Sequence, residues 1–326
     1  MWTLHFRGYY LISKLFNKNI TKGGIFLKMA KSLGGLISSL HTPFLDDYSL
    51  DVEGVKQNVL FLIESGIDGI LATGTAGEFV NLTDEERVVI WQTCKKTSYK
   101  KEFILIAHTG ASGTKKTVEL TKVAEENNFE FVMVITPYVS KPSQEEIFQH
   151  FKYIAENTKT KIIIYNNPGR TGVTIHSDTL NALAKINNIV GVKDSTRDLR
   201  LAMEVIANTK NDDFVVLSGE VDLVIPIMAL GGKGAIITPS LIHPKSFLSI
   251  YRAIEQGEWG LANQYQHALL PLLQCLGKEK KYHAAVKACI EIMGRKAGPP
   301  RPPLQKISDK LRKELDTMLR EVYKLL

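Results

Sequence analysis

Five short polar stretches in this chain carry side chains suited to chemistry on a carbonyl group. The sharpest is Ile189-Val-Gly-Val-Lys-Asp-Ser-Thr196, an apolar, β-branched run that switches abruptly to polar residues. That is the pattern of a buried strand running out into a loop. Lys193 stands at its carboxyl end. A lysine set half inside an apolar wall loses hydration, which disfavours the ammonium, and the free amine attacks a carbonyl to form an imine. Tyr165 closes another apolar run and leads into Asn166-Asn-Pro-Gly-Arg170-Thr-Gly172. Gly74-Thr75-Ala76-Gly77-Glu78, Thr136-Pro137-Tyr138 and Ser218-Gly219-Glu220 follow three more such runs. Forming and hydrolysing an imine moves protons on and off the carbinolamine oxygen, and a tyrosine beside a threonine hydroxyl relays them. The glycines of 74–78 permit tight backbone geometry, so the loop amides and the Thr75 hydroxyl could hold a small carboxylate. Each stretch taken singly also has an inert reading. A strand-end lysine points into water, a rim tyrosine packs, an arginine pairs with a surface acid, and a Gly-rich turn merely precedes a helix.

These side chains can converge only if the strands that carry them end on one face. Short apolar runs occur at Gly35–Leu40, Gly69–Thr73, Phe103–Ala107, Phe131–Thr136, Lys161–Tyr165, Ile189–Lys193, Phe214–Leu217 and Gly234–Ile237. Amphipathic helical stretches alternate with them: Asp51–Ser65, Thr174–Lys185, Leu199–Asn208 and Pro244–Gln256. Thr83–Glu86 and Ser143–Glu146 are capping boxes that open two more. Eight strand–helix units over about 220 residues match a (β/α)8 barrel in number and size. A doubly wound sheet is second choice, since no Gly-rich dinucleotide fingerprint follows the first strand. After Gly257 the pattern is wholly helical, at Glu258–Leu276, Lys281–Met293 and Ser308–Leu326, with the Pro299–Pro303 cluster before the last helix. The expected architecture is therefore α/β, a (β/α)8 TIM barrel over residues 33–256 with a C-terminal helical domain over 257–326. In a barrel, catalytic groups come from the carboxyl ends of the strands, which is where the five polar stretches fall.

Composition narrows the function classes. Apolar residues make up 44% and charged residues 23% of the 326, an ordinary enzyme-like balance. Arg7, Lys14, Lys18, Lys22, Lys28 and Lys31 lie in an acid-free segment and account for all but one of the net charge of +7. The remainder is nearly neutral, so no nucleic-acid partner is expected. Residues 1–32 are read as a basic N-terminal extension with Met29 as the functional start, in preference to a targeting presequence. No apolar run approaches the ~20 residues of a membrane span. Cys94, Cys275 and Cys289 show no paired spacing, which suggests a reducing, cytoplasmic location without disulfides. The eight histidines are scattered without a ligand pair, so no metal or other cofactor is expected and the pattern does not favour a zinc aldolase.

Taken in order, Gly74-Thr-Ala-Gly-Glu78, Thr136-Pro-Tyr138, Tyr165 to Gly172, Gly191-Val-Lys-Asp194, Gly231-Gly-Lys-Gly-Ala235 and Arg301-Pro-Pro-Leu304 resemble the dihydrodipicolinate synthase/N-acetylneuraminate lyase family of pyruvate-dependent aldolases. The resemblance runs from about Gly34 to Leu304. It implies a homotetramer, a dimer of dimers, in which Lys193 binds pyruvate as a Schiff base before condensation with a small aldehyde. It assigns the proton relay to Tyr165 and Thr75, and the substrate lining to Ala76, Gly219 and Ile236. Arg170 is similar to the arginine that, in the synthase branch, holds the carboxylate of aspartate semialdehyde. Two positions depart from that branch. Ala76 replaces a usual second threonine, and Val139 replaces a tyrosine usually donated across the dimer. Aldolases of 4-hydroxy-2-oxoglutarate or 2-keto-3-deoxy sugar acids, and a non-catalytic carboxylate-binding relative, remain as alternatives.

Overall fold

The computed structural model describes residues 33–325 apart from 101, 211 and 212, with backbone only for 322–325. The expectations for residues 1–32 fall outside the described residues. The eight apolar runs become strands: β1 (Gly35–Ser39), β2 (Gly69–Ala72), β3 (Ile104–His108), β4 (Phe131–Ile135), β5 (Lys161–Asn166), β6 (Ile189–Asp194), β7 (Val215–Ser218) and β8 (Gly234–Ile237). Each pairs in parallel with the next, and β8 pairs with β1 to close the barrel. Strands buried on both faces read as continuous apolar runs, which is why they stood out in the sequence.

Alternation along each strand divides the core in two. Ile37, Leu71, Ile106, Met133, Ile163, Leu217 and Ile236 fill the barrel interior with Tyr165. Leu36, Ile70, Leu105, Val132, Ile164 and Val192 face outward into the layer beneath the helices. The helices of the barrel are α1 (Val52–Glu64), α2 (Asp84–Thr97), α3 (Thr114–Glu126), α4 (Gln144–Glu156), α5 (Pro168–Thr171), α6 (Ser177–Leu183), α7 (Leu199–Thr209), α8 (Val224–Ala229) and α9 (Pro244–Glu255). The Thr83 and Ser143 capping boxes form as expected, starting α2 and α4. Helix α3 has Gly113 before it and no side-chain cap, so the sequence lacked a start signal there. Helix α5 is a single turn with Pro168 at its first position, too short to register as a period.

Three more helices follow, α10 (Trp259–Leu276), α11 (Tyr282–Ile292) and α12 (Asp309–Leu325). Helix α10 lies against α9 and α12. The strap between α11 and α12 returns to the barrel. Ala297 accepts the Phe44 amide at 3.2 Å, and Gly298 has φ 64° with its Cα against the Phe44 carbonyl, where a Cβ would collide. The strap then meets the loop after β2. Lys287 Nζ of α11 lies 2.7 Å from Glu78 Oε1, both side chains at 3% exposure or less. Lys287 also donates to the Pro299 carbonyl at 3.0 Å, and Glu78 Oε2 accepts the Arg301 amide at 2.9 Å. The Arg301 guanidinium grips both oxygens of Glu86 and stacks on Phe44. This network ties the C-terminal helices to the Gly74–Glu78 loop.

Removing one member of a buried pair strands the other charge, which typically costs about 3–5 kcal/mol. Lys287→Met should lose about that much in urea unfolding, while the double variant Glu78→Gln/Lys287→Met should regain most of it. A double variant no more stable than the single one would show that packing, not charge, is what the pair supplies.

Candidate active site

Lys193 and Tyr165 are partners in the β5–β6 ladder, so their side chains leave the sheet on the same side. Both are buried, at 5% and 4% exposure. Lys193 Nζ stands 4.3 Å from the centre of the Tyr165 ring, a cation–π arrangement. Among the described residues no carboxylate forms an ion pair with Lys193.

Burial pushes the Tyr165 phenol up, but the Lys193 charge, the hydrogen bond from Asn167 and the nearby Thr75 and Ser195 hydroxyls together hold it below its ordinary value. Asn167 Nδ2 donates to the phenol oxygen at 2.6 Å, which leaves the phenol proton free to point elsewhere. Thr75 Oγ1 and Ser195 Oγ are buried with no hydrogen-bond partner among the described residues. They sit near enough to favour phenolate without completing a bond. The loop that carries Thr75 is held under strain, with left-handed Thr73 (φ 54°) and Glu78 (φ 56°) at its ends. Trp91 Nε1 donates to the Thr73 hydroxyl at 2.8 Å and braces it.

Gly219 lies just past β7 and donates its amide to the Asp194 carbonyl at 2.7 Å. A Cβ there would meet the Lys193 side chain at 3.0 Å and the Ser195 hydroxyl closer still. Only a glycine leaves the lysine room. Ile236 belongs to the interior wall with Tyr165, and Ala76 is buried within the 74–78 loop at 4% exposure. Arg170 is exposed on α5, the single turn that follows β5. Val139 is 87% exposed with φ 77°, a conformation unfavourable for a β-branched residue.

Sequence reasoning passed over several neighbours. Asn167 lies within the Tyr165–Gly172 motif, where nothing local marks it as the donor to the phenol. Ser195 follows Lys193 by two positions and hides among ordinary loop residues. His108 ends β3 at the inward position two beyond Ile106, a parity that could have flagged it. It is fully buried beside Phe79, with ring centres 4.4 Å apart, and neither ring nitrogen has a partner among the described residues. Burial, then the charges of Arg87 and Lys193, push it well below the usual histidine value, so it is neutral. Among the described residues no group of three or more His, Cys, Asp or Glu side chains is arranged to hold a metal ion. A depression of about 590 Å³ between the ends of α3 and α4, lined by Glu125, Glu126 and Lys159 among others, opens away from this chemistry.

The profile of the Dihydrodipicolinate synthetase family matches residues 32–322. The chain belongs to that family. A 4-hydroxy-tetrahydrodipicolinate synthase of Methanopyrus kandleri is 37% identical over 300 residues, covering 91% of this chain and 98% of the relative. One from Neisseria meningitidis serogroup B is 38% identical over 263 residues, covering 81% and 89%. The crystal structure of dihydrodipicolinate synthase from Thermotoga maritima superposes with a TM-score of 0.86 at 31% identity, covering 91% of this chain and all of that one. The family's barrel architecture is therefore present here in full.

Asp194, next to Lys193, offers a test of how dry this family member's barrel mouth is. Its Oδ2 accepts the Thr196 hydroxyl at 2.9 Å, and its Oδ1 has no partner among the described residues. Burial pushes the carboxyl from 3.8 up to about 6, against the pull of Thr196 and helped by Asp198 and Glu220. A carboxyl raised in the folded state stabilises fully below its unfolded value and loses that contribution as pH rises through about 6. Asp194→Asn should therefore shrink the fall in unfolding free energy between pH 4 and pH 7 by about 2 kcal/mol. Urea titrations at the two pH values measure it, and an unchanged difference would refute a desolvated Asp194.

Proposed function

We propose that the chain is a Schiff-base lyase that joins pyruvate to a carboxylate-bearing aldehyde, acting as a 4-hydroxy-tetrahydrodipicolinate synthase (dihydrodipicolinate synthase). The observation that carries the reading is Lys193 Nζ, 4.3 Å from the Tyr165 ring centre and without an ion-pair partner among the described residues. Lys193 gives up a proton to the Tyr165 oxygen, and the free amine attacks the ketone carbon of pyruvate. The carbinolamine oxygen takes a proton from the Tyr165 phenol, with Thr75 as the adjoining relay, and leaves as water. The resulting iminium draws electrons from the neighbouring methyl, which loses a proton to the Tyr165 oxygen to give an enamine. That carbon bonds to the aldehyde carbon, whose oxygen takes up the proton held on the relay, and attack on the imine by water or by an amine of the acceptor frees Lys193. Asn167 keeps the phenol oriented, and the Gly74–Glu78 loop receives the pyruvate carboxylate, with one hydroxyl fewer because of Ala76. Gly219 and Ile236 complete the lining.

Among the described residues no helix is long and apolar enough to cross a membrane. The same reading puts the enzyme in the cytoplasm as a homotetramer, a dimer of dimers, with residues 33–256 as the barrel, 257–326 as the helical domain and 1–32 as a basic extension. Intact Lys193, Tyr165 and Thr75 speak against a non-catalytic relative. Arg170 speaks against a neutral sugar-type acceptor. It forms no ion pair with an acidic side chain among the described residues, so its charge awaits an anion.

Pyruvate with borohydride should attach covalently to Lys193, and Lys193→Arg should abolish turnover because a guanidinium stays protonated. Peptide mapping that finds the adduct elsewhere sinks the mechanism. Arg170→Ala should weaken use of aspartate semialdehyde by about 2–5 kcal/mol in kcat/KM if the bound pair is desolvated, leaving pyruvate trapping intact. A loss within about 1 kcal/mol would place Arg170 with ordinary exposed charges.

A further inference from the structure

Helix α11 reaches the barrel mouth from outside the barrel sequence and meets Arg170 there. Arg170 Nη2 and His283 Nε2 are 3.4 Å apart, the one hydrogen bond the guanidinium makes among the described residues. His283 lies in the first turn of α11, four residues before the buried Lys287. The ring of Tyr282 stands edge-on to it at 5.7 Å. We propose that His283 is the positioning residue for Arg170, an uncharged acceptor that fixes the guanidinium fork while leaving its charge free for the carboxylate of the acceptor aldehyde. The inference rests on the acidic-acceptor reading above and names the group that makes it selective.

The chemistry of the contact supports this. A guanidinium has only donors, so the imidazole must accept through Nε2 and carry its proton on Nδ1. Burial pushes His283 down to about 4, and the nearby charges of Arg170 and Lys287 act in the same direction, so the ring is neutral at working pH. A carboxylate in this place would hold the arginine equally well but neutralise it. A hydrocarbon would leave a long exposed side chain to sample many rotamers, which weakens binding by the ordering it then requires. A neutral acceptor avoids both costs. One nitrogen of the planar fork is held, and the remaining donors can take a carboxylate side-on.

Three variants test the idea: His283→Glu, His283→Leu and His283→Gln. The readouts are KM for aspartate semialdehyde, KM for pyruvate, borohydride trapping of pyruvate on Lys193, and melting temperature. His283→Glu should raise KM for the acidic aldehyde about tenfold or more, because it supplies an internal anion for Arg170, and His283→Leu should raise it about three- to tenfold. His283→Gln, which keeps an uncharged acceptor, should restore KM to within about threefold of wild type. Pyruvate KM and trapping should stay level throughout. Unchanged aldehyde KM in the Glu and Leu variants overturns the proposal, as does a parallel loss of pyruvate binding, trapping and melting temperature, which would mark a merely structural histidine. A wild type that prefers a neutral aldehyde such as glyceraldehyde removes the reading beneath the inference. A selective wild type with equally selective variants removes the inference alone.

Discussion

The register between β5 and β6 is the constraint on which the site depends. Tyr165 pairs with Lys193 in that ladder, and both side chains point into the barrel. A slip of one residue would turn the lysine out under the helices and leave the phenol alone inside. The register is held because Ile162, Ile164 and Val192 must face the outer layer, while Ile163 and Tyr165 must face the interior. Closure of the barrel extends the same requirement around all eight strands. The packing preferences of plain hydrophobic residues thus aim the two polar ones.

Among the described residues, Lys193 and Arg170 are held without a carboxylate partner. Lys193 faces a ring, not a carboxylate. Arg170 faces a neutral imidazole. His108 is held neutral by its full burial, with the charges of Arg87 and Lys193 acting in the same direction. Buried carboxylates are present, but Asp194 is pushed up by burial and Glu78 belongs to Lys287. A mouth organised this way favours anionic substrates by leaving positive charge to be met from outside.

The second dependence runs through the C-terminal helices. Thr75 sits on a strained loop whose last residue, Glu78, is held by Lys287 and by the Arg301 amide. Helix α11 and the strap after it therefore help shape the carboxylate loop, besides bringing His283 to Arg170. Conformational strain at a loop needs support from packed neighbours. Here residues more than two hundred positions away in sequence supply it.

Strand and helix positions were largely legible in the sequence because buried parallel strands are continuous apolar runs and capping boxes are local. Lys193, Tyr165, Thr75 and Gly219 were legible too, since each follows such a run on the face where barrel chemistry gathers. The uncapped α3 and the single turn of α5 were not, for they lack a start signal or a full period. Nor could the chain by itself reveal that Asn167 holds the phenol, that His108 is buried with both ring nitrogens unpartnered among the described residues, or that His283 and Lys287 reach across to Arg170 and Glu78. Periodicity fixes which way a side chain points relative to its own element. Which distant side chain it meets, and whether that meeting leaves a charge paired or free, is decided only when the barrel closes and the C-terminal helices fold against it.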